Sequence, residues 1–521
     1  MSDIPSIAVT APRSHAIGWW VFAIISVSTV LRFYLLSNAS IWSDEGFTLE
    51  LIAYPLADIW TLSGRDVHPP LFYMLLHGLI ALTDSNALIW TRGFSAVLGV
   101  VNVGLGIWLV RMVSTPRAAI TAGLLLALLP IAVRYSQDVR MYALMGAELT
   151  GATLALVYWV LKPQKSSYLV MYVLLMVSGL YTHYFSIFCA LSHWLYLLLI
   201  RLPAYGRHRG IERPQWWLAN GVIVLLYLPW LSSVFTQLNT FGVSWIQPIS
   251  GYSLPSAIWR FLIVNDGRGC NAFIYWLVPI VYVATGGIVV WQDRSRYAVQ
   301  TLIVICGFLT VMVVFLFSFY MPVFVERYLF FSAVMMPLLV AIALDKLRNR
   351  WGFVMALGVC LAVEVFGLSH VYSQQHTMNN PYRMADDRLA ELMEDFNVKS
   401  MSGDVLVVSD AYLFYAGHFY NDKHRKLLLH FSSSSGHRPI ASGFSAPMMK
   451  YGDDTYVESL DRLETATGRV WWLDYAYKKP GDEVDLPRRW HSITQTVMGD
   501  NVLGLYEICG SVPGDNPVRC E

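Results

Sequence analysis

The sequence predicts a polytopic α-helical membrane protein of about eleven transmembrane helices, with a small α/β domain at its C-terminal end outside the membrane. Three observations carry this. Of 521 residues, 55% are hydrophobic and 14% charged, far below the ~25% charged residues of soluble domains, and the mean hydropathy is +0.47. Span-length apolar stretches recur through residues 1–371, and beyond them the chain turns polar. The net charge of +1 gives no field for nucleic acid, and no basic cluster with interleaved stacking rings occurs. The 19 Trp and 29 Tyr suit belts at membrane interfaces.

The first stretch, 17–36, is long enough to span and has no small-residue cleavage site behind it. It reads as an uncleaved signal anchor with a cytoplasmic N-terminus. Further spans are expected at 88–112, 118–136, 141–161, 168–182, 184–200, 216–234, 273–291, 297–319, 323–344 and 351–371. The loops between them alternate in basic content, and cations collect on the cytoplasmic side. Arg111, Arg117, Lys162, Lys165, Arg201, Arg207, Arg209, Arg213, Arg294, Arg296, Lys346, Arg348 and Arg350 form the basic, cytoplasmic set. The opposite loops hold Asp44, Glu45, Asp66, Asp84, Asp138, Asp266 and Glu326. Eleven spans then place 372–521 outside as well.

The first outer loop, 37–87, contains "IWSDEGFTLELIAYPLADIWTLSGRDVHPPLFY". Residues 44–54 read as a short helix ended by Pro55, with Leu49, Ile52 and Ala53 available for an apolar face. The apolar run 71–82 has only twelve residues, short of the ~17 a spanning helix needs, so it reads as an interfacial helix. Were it to span, Asp44 and Glu45 would lie on the side opposite Asp138, His183 and Arg327. Each motif has an ordinary structural explanation: carboxylates favour the first turn of a helix, and Pro suits the same turn.

Polar residues accumulate at other outer ends too. They are Arg134 and "SQDVRMYAL" with Asp138, Arg140 and Tyr142; "LYTHYFS" with Tyr181, His183 and Tyr184; and "FVERYLF" with Glu326, Arg327 and Tyr328. A lone histidine is commonly a packing residue, and Arg327 could simply pair with Glu326. Ionisable residues at a membrane edge are nevertheless costly, and several clusters on one face are candidates for a shared site. Together they supply carboxylates for a base and Arg or His for an anion, as transfer of a group off a phosphate requires.

Beyond 379 the pattern predicts a helix at 382–396, a strand at 404–409, a helix around 412–420, a strand at 469–474 and a strand pair ending "NVLGLYEI", with 432–436 a loop. No phosphate-cradling glycine motif or long repeat occurs. Cys189, Cys306 and Cys360 fall in apolar stretches and Cys270 in a loop, without metal spacing, so no zinc site is expected. Cys509 and Cys520 lie close enough in sequence to pair in an oxidising compartment.

The motifs "SDEGFTL", "DVHPPLFYMLLH", "TRGFSAVLGV", "SQDVRMYAL", "YTHYF" and "ERYL" resemble, in order and spacing, those of the glycosyltransferase C superfamily. The resemblance covers roughly 17–345 and is greatest to bacterial enzymes related to protein O-mannosyltransferases and the lipid A aminoarabinose transferase. It implies a multi-pass protein of the bacterial inner membrane that transfers a sugar from a polyprenyl-phosphate carrier to a lipid, glycan or protein acceptor on the outer face, usually with inversion. The C-terminal domain would be periplasmic. By the resemblance Asp44 is the general base and Glu45 positions acceptor or donor. Arg140 and Arg327 neutralise the departing phosphate, with His68 beside them. Asp66, Asp138, Tyr142 and His183 line the site. Relatives carry Lys-Pro-Pro where this chain has His68-Pro69-Pro70, so a phosphate contact at position 68 depends on the histidine's charge. No cofactor is firmly implied, and the carboxylates show no recognisable ligand spacing for a divalent metal.

A secondary transporter or flippase is the competing reading, since it too clusters ionisable residues in a bundle. Transporters favour midplane sites and repeated halves, whereas the polar residues here lie toward outer ends. A non-catalytic scaffold leaves the 41–73 loop unexplained.

Overall fold

The computed structural model describes residues 14–83, 87–205, 207–240, 246–373, 388–431, 443–463, 465, 467–476 and 484–509. Asp84, Cys520 and the 432–436 loop lie outside them. Cys509 is disulfide-bonded, and Cys189, Cys270, Cys306 and Cys360 are free.

The chain opens with α1 (Ser14–Phe33) and then three short helices, α2 (Ser43–Leu51), α3 (Leu56–Ser63) and α4 (Leu71–Ile80). The bundle continues through α5 (Ala87–Val113), α6 (Pro116–Leu128), α7 (Pro130–Arg134), α8 (Tyr142–Leu161), α9 (Ser167–Thr182), α10 (Ser186–Ile200) and α11 (Pro214–Thr240). It closes with α12 (Ser253–Ile263), α13 (Ala272–Trp291), α14 (Val299–Phe317), α15 (Phe330–Asp345) and α16 (Arg350–Tyr372). Helix lies over every one of the expected spans. Among the described residues, seven helices are long and apolar enough to cross a membrane by length and composition, while α1, α4, α6, α9 and α10 are shorter apolar helices. This is a multi-pass membrane protein. Helices α8 and α15 are almost wholly buried and form its centre, α8 packing on α5 and α9, and α15 on α6 and α14.

Two expectations change. The 44–54 helix is shorter, because Pro55 does not merely end it. With ψ at 151° Pro55 turns the chain and starts α3, as a ring-fixed φ allows at a helix start. The 118–136 span is broken: Leu129 adopts ψ 114° before Pro130, since the proline ring disfavours helical geometry in the residue before it. The second piece, α7, delivers Arg134 into the loop that carries Asp138 and Arg140.

After α16 come α17 (Leu389–Lys399), β1 (Val405–Val408), α18 (Ala411–Phe419), β2 (Lys426–His430), β3 (Tyr456–Val457), β4 (Arg469–Tyr475), β5 (Trp490–Met498) and β6 (Asn501–Ile508). The sheet order is β3-β2-β1-β4-β6-β5. Its first four strands are parallel and its last two antiparallel. The α/β character matches expectation, but β2 and β3 are additional: a Leu triplet between charged residues and a two-residue bridge carry no alternation to read. The expected 382–396 helix begins, among the described residues, at Leu389.

The sheet domain packs against the short helices. Ile41 N donates to the Tyr420 hydroxyl at 2.8 Å, Ala390 N to Ser40 Oγ at 3.1 Å and the Tyr54 hydroxyl to Pro447 O at 2.6 Å. The opposite end is tied by the basic loops: Arg117 Nε donates to Asp345 Oδ1 at 2.6 Å, and Lys346 Nζ to Gln300 Oε1 at 3.2 Å.

Candidate active site

Helix α2 organises the site. Asp44, Glu45 and Glu50 leave it in different directions, because successive side chains turn by about 100°. Glu45 is fully buried and accepts from Arg92 Nε at 2.9 Å and Nη2 at 2.7 Å. Val139 N also donates to its Oε1, at 2.9 Å. Arg92 gives its remaining hydrogens to Leu36 O, Ala39 O and Ser40 O. Glu45 therefore faces protein on all sides. It joins α2 to α5 and to the 135–141 loop.

Asp44 is different. Its side chain is 21% exposed, against 1% for Glu45, and Arg140 Nη2 stands 3.7 Å from its Oδ2. Arg140 is itself held by Thr48 Oγ1 at 3.2 Å, one helical turn beyond Asp44. Its Nε is buried without a hydrogen-bond partner among the described residues, as are the hydroxyls of Tyr73 and Tyr142.

His68 and Asp66 come to the same guanidinium. His68 Nδ1 lies 3.3 Å from Asp66 Oδ2, and Arg140 Nη2 lies 3.4 Å from His68 Nε2. The neutral ring protonated at Nδ1 satisfies both, donating to Asp66 and accepting from Arg140. Burial, followed by the charge of Arg140, pushes the imidazole below its ordinary pKa, against the pull of Asp66. His68 is thus a neutral hydrogen-bonding group at neutral pH, not a substitute for a lysine.

His183 packs its ring 5.7 Å from that of His68 and 5.2 Å from Tyr328, and its Nδ1 accepts from Phe185 N at 3.1 Å. Burial holds it well below the ordinary imidazole range, with the positive surroundings adding to the effect. Tyr142 stacks edge-on against Tyr135 at 4.8 Å and lies 6.1 Å from His183. Arg327 sits over Tyr328 at 5.5 Å and Trp42 at 5.8 Å, and its charge interacts with that of Asp44. Glu326 is ion-paired with Arg260 of α12, so the simple Glu326–Arg327 pairing gives way to a longer one.

Asp138 is buried beside Trp42. Trp42 Nε1 donates to its Oδ1 at 3.2 Å and Arg134 Nη1 lies 3.4 Å away, while Oδ2 has no hydrogen-bond partner among the described residues. Burial raises its pKa to about 6 despite Arg134.

The structure thus gathers Asp44, Asp66, His68, Arg140, Tyr142, His183 and Arg327 around one centre, with Glu45 and Asp138 beneath it. Sequence reasoning did not single out Arg92, Trp42, Thr48 or Tyr73. Arg92 had a signal, a lone cation inside an apolar helix; the others had none. Among the described residues no group of three or more His, Cys, Asp or Glu is placed to hold a metal ion.

No family model matches this sequence, and no curated protein matches it. Solved structures do. The chain is similar to ArnT from Cupriavidus metallidurans in the apo state, at TM-score 0.60 and 15% identity, over 94% of this chain and 98% of that one. It is similar to ArnT from the same organism bound to undecaprenyl phosphate, at TM-score 0.59 and 14% identity, over 96% and 100%. A third is the archaeal oligosaccharyltransferase AglB from Archaeoglobus fulgidus in complex with an inhibitory peptide and a dolichol-phosphate, at TM-score 0.52 and 11% identity, over 88% and 69%. The fold of this chain is the glycosyltransferase C fold.

Proposed function

We propose that this protein is a membrane glycosyltransferase that moves a sugar from a polyprenyl-phosphate carrier to an acceptor hydroxyl on the outer face of a bacterial inner membrane. In this reading residues 1–371 form the transferase module, with the N-terminus cytoplasmic, and 372–521 a periplasmic domain. The observation that carries the mechanism is the accessibility of Asp44. Of the carboxylates gathered at the site it is the most open, 21% exposed against 8% for Asp66 and 1% for Glu45 and Asp138.

Asp44 takes the proton of the acceptor hydroxyl as its oxygen attacks the anomeric carbon. The bond from that carbon to the phosphate oxygen breaks, and the lipid phosphate leaves with the electron pair. One displacement without a glycosyl-enzyme intermediate inverts the anomeric centre. Phosphate needs charge stabilisation rather than a strong acid, and Arg140 and Arg327 supply it in a buried setting. His68, Asp66 and His183 contribute hydrogen bonds and shape. Arg140 Nε and the Tyr73 and Tyr142 hydroxyls, buried without hydrogen-bond partners among the described residues, support a polar ligand at this centre. Glu45 and Arg92 act as positioning residues. The lipid phosphates named for ArnT and AglB support a lipid-linked donor.

The test is mass spectrometry of polyprenyl phosphate released from a panel of polyprenyl-phosphate sugars by purified protein with cell-envelope acceptors. Release with one donor, absent in Asp44→Asn, supports transfer and names the sugar. No release from any donor by folded protein, with solute flux across proteoliposomes, would instead favour a transporter.

A further inference from the structure

We infer that the C-terminal sheet domain is a working part of the active site, setting the position of Asp44 by clamping the far side of α2, with Glu50 as the anchoring residue. This rests on the assignment of Asp44 as the base. On a helix turning about 100° per residue, Asp44 and Thr48 share the face that meets Arg140, and Glu45 points to Arg92. Gly46 and Glu50 occupy the remaining face, roughly opposite Asp44. Among the described residues, the atoms nearest a Cβ at Gly46 and the side chains bonded to Glu50 belong to the C-terminal domain.

Glu50 is buried and receives three groups from it. Lys450 Nζ pairs with its Oε1, the Tyr451 hydroxyl donates to Oε1 at 2.8 Å, and His418 Nδ1 lies 3.2 Å from Oε2. Burial alone would raise this carboxyl, but the hydrogen bonds of His418 and Lys450 outweigh it and hold Glu50 below its ordinary pKa. A buried carboxylate so paired fixes its helix, because any displacement leaves a charge without partners.

Gly46 sets the distance. A Cβ there would stand 2.9 Å from Tyr415 Cβ and 3.3 Å from Ala416 N, so α2 and α18 touch backbone to backbone. Phe47 locks the rotation, stacking on Phe444 at 5.5 Å and edge-on against Tyr415 at 6.0 Å. The nine-residue α2 is too short to hold itself, so the base is placed by the Glu45–Arg92 pair on one side and by this clamp on the other.

The experiment compares full-length wild type, the double variant Lys450→Met with His418→Gln, Lys450→Arg, Gly46→Ala and Asp44→Asn. Transfer kinetics and hydrogen exchange of the 43–51 amides are read in parallel. The clamp predicts faster exchange in α2 for the double variant and Gly46→Ala. It also predicts a kcat lower by on the order of tenfold to a hundredfold at nearly unchanged donor KM, with Lys450→Arg close to wild type. Asp44→Asn should lose transfer with α2 exchange unchanged. Unaltered exchange in the double variant, or a change in KM alone, overturns the inference. Absence of transfer by wild type would count against the proposed reaction, while the exchange comparison would still decide whether the domain holds the helix.

Discussion

Glu45 and Arg92 meet in a two-point ion pair shut away from solvent, Oε1 to Nε at 2.9 Å and Oε2 to Nη2 at 2.7 Å, immediately beside the partly exposed Asp44. Breaking such a pair leaves an uncompensated buried charge, at a cost of about 3–5 kcal/mol. Arg92→Met and Glu45→Gln should each lower the melting temperature of the purified protein strongly. Asp44→Asn, whose side chain is partly in solvent, should leave it nearly unchanged. A thermal shift series in one detergent separates the two neighbours.

Loss of the base should lower kcat by roughly 10²–10⁴ for Asp44→Asn, with donor affinity retained. Binding of the lipid-linked donor, followed by quenching of tryptophan fluorescence, checks retention independently of turnover. A variant with wild-type turnover would remove Asp44 from the mechanism.

Arg140 and Arg327 differ in what they touch, and their variants should differ accordingly. Either change to Ala should lower kcat by about 10²–10³, the usual loss of one charge-stabilising group. Arg140→Ala should also loosen α2, which it meets at Asp44, 3.7 Å away, and at Thr48. Arg327→Ala, which loses contacts to Trp42 and Tyr328, should leave α2 in place. Hydrogen exchange of the 43–51 amides distinguishes them.

Asp138 makes a prediction about stability. Its folded pKa is raised from 3.8 to about 6, so the folded state binds the proton more tightly than the unfolded state. A raised carboxyl therefore contributes stability below its unfolded value and loses it as pH climbs through that window. Relative to wild type, Asp138→Asn should gain in melting temperature as pH rises from 3.8 to about 6, with the difference constant above. A difference independent of pH would mean that Arg134 already keeps the carboxylate charged.

The membrane portion was legible because hydropathy is a local property: helices lie over all the expected spans, and the short apolar run 71–82 holds a ten-residue helix, Leu71–Ile80. The breaks were harder. Pro55 and Pro130 announce an interruption, but whether the chain stops, turns or restarts depends on what the next segment packs against. The sheet domain was legible where strands are long and flanked by turns, as at Arg469–Tyr475, and illegible at Lys426–His430, whose pairing partner Val405–Val408 supplies the reason for its conformation.

The sequence by itself determined the class of protein, the places where the chain can cross a membrane and the loops in which charged residues collect, since each follows from neighbours within one helix length. Composition and spacing did not separate Asp44 from Glu45, which the resemblance alone told apart. They are adjacent carboxylates in the first turn of one helix, and only the folded chain turns one toward an open, arginine-lined centre and the other onto Arg92. Burial and partner choice are set by residues 47 to 96 positions away, and these long-range contacts give the two side chains different surroundings.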